Sequence, residues 1–167
     1  MSAPKRRIGR NSAAAVRRAV RVTIPKIMVA KPVHFSIPSD FASGGLVQKR
    51  IIDAVERSGY DDDSVFGIKL AVDEALINAI KHGNKLNPSK RVHVQASITP
   101  RRLEIVIEDE GRGFDRNCVP DPTCAENLEK PCGRGILLME AYMDRVEWSR
   151  GGRRVKMVKK PELRPTT

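Results

Sequence analysis

The sequence predicts an α+β fold: a two-layer sandwich, with a mixed, mostly antiparallel sheet and helices on one face. Three observations carry this. The apolar residues recur at helical spacing between residues 46 and 82, then alternate between residues 92 and 108. The elements run strand, helix, helix, two strands, loop, helix, two strands. A chain of 167 residues, 40% of them hydrophobic, is long enough for one core and a tail.

Charge divides the chain. Of 31 Lys and Arg against 20 Asp and Glu, nine bases and no acids fall in residues 1–39. The remaining 128 residues carry 22 bases against 20 acids, so the net +11 belongs mostly to the tail. Residues 1–31 read as a basic, disordered tail, residues 32–161 as the domain, and residues 162–167 as a short C-terminal tail. Within the basic tail, Ala13, Val16, Val20 and Ile24 share one side of a short helical pattern, with Arg17, Arg18 and Arg21 beside them. Pro25 stops that pattern. Such a tail is compatible with solvation, with an acidic protein partner, or with an anionic nucleic acid or lipid surface. No apolar run reaches bilayer length, and no signal-peptide core appears near Met1. Cys118, Cys124 and Cys132 lack metal-ligand spacing and read as reduced thiols in a cytoplasm.

The elements follow in order. Val33 to Ile37 alternates as a first strand, closed by Pro38. Ser39 to Gly45 reads as a loop or helix approach, and Leu46, Ile51, Ile52 and Val55 as a helical stripe ending at Ser58-Gly59. Asp61-Asp62-Asp63-Ser64 supplies a helix N-cap with negative charge in the first turn. The second helix is expected to run to His82, with Gly83 ending it. Val92 to Ile98 and Leu103 to Ile107 form a hairpin around Pro100-Arg101. Residues 116–131 hold three prolines and no period, which marks a loop. Gly133-Arg134-Gly135 opens a helix, and Val146 to Trp148 with Arg154 to Lys159 makes a last hairpin around Gly151-Gly152.

Candidate chemistry sits at three places. Glu74, Asn78 and His82 are spaced four apart and share one helix face. Glu74 and Asn78 are either a structural polar pair or a base and a magnesium ligand. Asp109 ends a strand and opens Asp109-Glu110-Gly111-Arg112-Gly113. That segment is either a tight bend or a place where a carboxylate accepts from an exocyclic amine while Gly111 and Gly113 admit a ligand to the backbone. Gly133 and Gly135 are either a plain turn or a helix start offering amides to phosphates.

In this order the motifs resemble the GHKL (Bergerat) ATP-binding fold, and most of all the anti-sigma-factor serine/threonine kinases of bacterial partner-switching systems. The resemblance spans residues 33–160. It rests on Leu70 to Asn84, Asp109 to Asp115 and Gly133 to Glu140. It implies ATP and Mg2+ as cofactors, Asn78 on magnesium, Glu74 as general base and Asp109 on the adenine amino group. Gly111 and Gly113 would shape that end of the pocket. Residues 116–132 would be a lid, and Gly133, Arg134 and Gly135 would approach the phosphates. It assigns His82 a structural or substrate-side role rather than that of a base. The implied partners are an anti-sigma-factor antagonist, whose serine or threonine is phosphorylated, and a sigma factor; a homodimer is compatible. The implied alternative is a nucleotide-binding regulatory module that transfers nothing. At the last hairpin the chain departs from the family: Arg153 and Arg154 follow Gly152 where a threonine is common.

Overall fold

Asp40 decides where the first helix begins. Its carboxylate accepts from the Ser43 backbone N–H and from Ser43 Oγ, both at 2.8 Å. The helix α1 therefore spans Phe41–Arg57. Of the two readings of Ser39 to Gly45, the helix approach holds, because this cap outweighs the poor helix propensity of Gly44 and Gly45. Asp61 repeats the device for the next helix, accepting from Ser64 N at 2.8 Å. Helix α2 covers Asp62–Ile77. The computed structural model describes residues 31–113 and 134–161. The tail pattern at 11–24, the lid, Gly133, the three cysteines and residues 162–167 lie outside the described residues.

A correction concerns the end of α2. The α-helix does not continue to His82. It widens at Asn78 into a π-helical turn, Asn78–Gly83, closed by Asn84 N donating to Ala79 O at 2.8 Å. Such wide turns add about one residue per turn and are frequent at functional sites. The chain then passes through two left-handed residues, Lys85 and Leu86, with φ of 58° and 55°.

Five strands form the sheet: β1 (Val33–Pro38), β2 (Arg91–Thr99), β3 (Arg102–Asp109), β4 (Arg145–Ser149) and β5 (Arg154–Lys159). Their order is β1-β2-β3-β5-β4. All four pairings are antiparallel, so the expected mixed sheet has no parallel pair among the described residues. Helix α3 covers Arg134–Tyr142 and precedes β4.

Alternation along the strands sends one set of side chains to the helices. Val92, Val94, Ala96 and Ile98 of β2, Leu103, Ile105 and Ile107 of β3, and Val155 and Met157 of β5 join Ile51, Val55, Ile68, Val72 and Met139 in one core. The other face is polar and ion-paired. Lys156 and Arg102 each reach Glu104 at 3.0 Å, and Val106 and Val158 are buried on that side. Burial of the helix-facing set drives the two layers together.

Candidate functional site

The end of β3 carries Asp109 into the space left by the widened turn. Asp109 is only 7% exposed. Its Oδ1 accepts from Gly111 N at 2.7 Å, and its own N–H donates to Arg153 O at 3.0 Å. A side chain on Gly83 would run into this carboxylate, and one on Gly111 into both the carboxylate and Gly83 O. Glycine at 83 and 111 thus lets the turn and the strand end close around Asp109. Burial pushes the Asp109 carboxyl above its ordinary value; the Gly111 N–H and the Arg153 and Lys90 charges oppose that push.

Asn84 locks the assembly. It is fully buried, its Nδ2 donates to Arg91 O, and its Oδ1 accepts from Glu110 N, both at 2.8 Å. One side chain therefore ties the end of the π-turn to β2 and to the segment after β3. Asn84→Ala leaves the Glu110 N–H and Arg91 C=O without these partners and lowers unfolding free energy by about 2–3 kcal/mol. Urea denaturation measures this as a lower midpoint; an unchanged midpoint removes the locking role.

Between these parts lies a cavity of about 740 Å3. Glu74 of α2, Asn78 and His82 of the π-turn, Asp109, Gly113 and Gly135 all line it. The face read from sequence spacing survives the change of helix type. Gly135 sits so close to Glu74 that any side chain there would strike Glu74 Oε2. The start of α3 thus abuts the carboxylate of α2. Gly113 takes a φ of +80°, and a side chain on it would meet Gly151 O of the β4–β5 turn. Ile107, Ile136, Trp148 and Val155 give the cavity apolar walls.

The structure brings together Glu74, Asn78, Asp109, Gly113 and Gly135 around one cavity, with Gly111 against Asp109. Arg134 opens α3 beside it, and Gly133 lies outside the described residues. Sequence reasoning singled out Arg153 and missed the rest of the basic lining. Lys81, Lys85, Lys90, Arg112 and Arg153 all border the cavity. Their signal was their position beside the glycine motifs. These cations favour a polyanionic ligand. Burial, then Lys81 and Lys85, hold the His82 imidazole below its usual value, against an opposing pull from Glu74. His82 is therefore neutral at neutral pH.

Among the described residues no three His, Cys, Asp or Glu side chains cluster as a ready-made metal cage. The donors at hand are the Asn78 carboxamide oxygen and, one turn away, the Glu74 carboxylate. That set fits a hard cation completing its shell with waters and ligand phosphates, as magnesium does. No helix among the described residues is long and apolar enough to cross a membrane.

Comparison with known proteins follows the same lines. Residues 37–159 match the family model described as histidine kinase-like ATPase domain. The chain is 30% identical over 136 residues to serine-protein kinase RsbW of Bacillus velezensis, covering 76% of this chain and 84% of that protein. It is 29% identical over 122 residues to serine-protein kinase RsbW of Bacillus subtilis, covering 68% and 75%. It is 36% identical over 100 residues to anti-sigma F factor of Clostridium perfringens, covering 58% and 71%. In three dimensions it resembles the crystal structure of the RsbU and RsbW domains of Rv1364c from Mycobacterium tuberculosis. The TM-score is 0.53 at 17% identity, over 82% of this chain and 34% of that one. The chain belongs to the histidine kinase-like ATPase domain family, on the side of it that holds the RsbW serine-protein kinases and the anti-sigma F factors.

Proposed function

We propose that this chain is an ATP- and magnesium-dependent protein serine/threonine kinase and anti-sigma factor of a bacterial partner-switching system. It phosphorylates a serine or threonine of an anti-sigma-factor antagonist and, in its other state, holds a sigma factor. It works in the cytoplasm. The observation that carries this reading is the convergence of Glu74, Asn78 and Asp109 on one cation-lined cavity. Relatives that carry the names serine-protein kinase and anti-sigma F factor support it.

Each residue has a task that its surroundings suit. The Asp109 carboxylate accepts from the exocyclic amine of adenine, and the base lies between the apolar walls formed by Ile107, Val155 and their neighbours. Lys and Arg side chains at the rim offset phosphate charge. Asn78 holds the magnesium, which when bound neutralises charge on the phosphate oxygens. Glu74 takes the proton from the antagonist's hydroxyl as that oxygen bonds to the γ-phosphorus, and ADP leaves. Gly133, Arg134 and Gly135 approach the phosphates, and the absence of a side chain at Gly135 leaves Glu74 room to face the incoming hydroxyl.

The test is incubation of the full chain with labelled ATP and candidate antagonist proteins. Label appears on a serine or threonine of one antagonist. Tight nucleotide binding with no transfer to any antagonist would identify a regulatory binding module instead.

A further inference from the structure

The opposite end of α2 from the cavity holds a second depression, a groove of about 440 Å3 between the end of α1 and the start of α2. Its floor is apolar: Ile52, Tyr60, Val65 and Phe66. Phe66 is 56% exposed, with one ring edge against Tyr142 at 6.2 Å between centroids. An aromatic ring left this open on a helix has apolar surface to bury. Glu56 and Asp62 form the rim, and among the described residues Lys69 is the single cation lining it. The surrounding segment, residues 53–63, carries five acids and one base.

The same end of the molecule is where the chain enters the sheet. Val33 pairs with Ala96 in the antiparallel β1–β2 ladder. The chain therefore enters β1 at the Thr99 end of β2. Tyr60 Oη donates to Thr99 O at 3.2 Å, so the groove wall touches that end of the sheet. Thirty residues precede Lys31. At about 3.4 Å per extended residue, they reach the groove many times over.

We propose that the N-terminal segment, residues 13–26, docks in this groove of its own chain. Val16, Val20 and Ile24 recur every fourth residue and supply apolar side chains for the floor. Arg17, Arg18 and Arg21 interleave with them, and the segment holds no acid to oppose the rim. Sign, apolar spacing and point of attachment all match. The docked segment packs on Phe66, and through it on Tyr142 at the end of α3. The first turn of that same helix abuts Glu74, so the tail sits at one end of a helix whose other end borders the cavity.

The experiment places the photo-crosslinker p-benzoylphenylalanine at Phe66 in the full chain. A second protein carries it at Lys69, in case the first folds poorly. Irradiation of mixed heavy- and light-isotope protein, followed by peptide mass spectrometry, separates links within one chain from links between chains. Links from the groove to residues 13–26 of the same chain are expected. Glu56→Lys with Asp62→Lys should lower their yield about tenfold, the loss expected from two exposed ion pairs. Arg17→Glu, Arg18→Glu and Arg21→Glu in that background should restore it. Links only to a second copy, no links to the tail, or a yield indifferent to the rim charges would each overturn the proposal.

Discussion

Glu74→Gln should leave nucleotide affinity near that of the unchanged protein and lower phosphoryl transfer about 100- to 10,000-fold, the usual span for loss of a general base. The substitution keeps the side chain's size, so its packing against Gly135 survives. It removes only the acceptor for the hydroxyl proton. A serine hydroxyl is a weak nucleophile at neutral pH, so transfer depends on that acceptor. The comparison needs initial rates with labelled ATP and antagonist, beside calorimetric nucleotide binding. A variant that still phosphorylates at a near-normal rate sinks the assignment. One that loses nucleotide binding as well places Glu74 among the binding groups instead. Asn78→Ala separates the roles further: it should weaken nucleotide binding only when magnesium is present.

Much of this site was legible because its residues lie close in sequence on regular elements. Asp61 and Ser64 announced α2, and alternation from Val92 to Ile107 announced the central hairpin. Spacing by four was enough to put Glu74 and Asn78 on one face. Other features depend on contacts that local pattern does not encode. Ser39 to Gly45 reads equally as a loop or a helix approach, since glycine disfavours helix by about 1 kcal/mol per residue. Only the folded chain shows Asp40 capping that helix and Gly44 facing the Ile80 side chain. The π-turn was illegible for a similar reason. Asn84 holds its far end through Arg91 and Glu110, 7 and 26 residues away. Arg153 is the reverse case: the sequence showed that it replaces a common threonine, and the structure puts it on the cavity wall near Asp109.

Acidification should release adenine nucleotide before it harms the fold, and Asp109 sets the order. Burial raises the folded-state pKa of this carboxyl above its ordinary value. A group whose folded pKa is raised favours the folded state increasingly as pH falls through that pKa. Protonation of Asp109 therefore costs the empty protein no stability. Binding has the opposite sign, because the adenine amine needs the ionised acceptor. Affinity should fall as pH drops through the raised pKa, at a higher pH than an ordinary aspartate would give. Asp109→Asn should bind ADP about 10- to 100-fold more weakly at neutral pH, the cost of losing a charge-assisted hydrogen bond in a buried site. Its affinity should then lack this pH step. Taking the ratio of the two proteins' affinities at each pH cancels the titration of the nucleotide's own phosphates. A ratio that stays constant from neutral to acidic pH would show that Asp109 is not the group that reads the base.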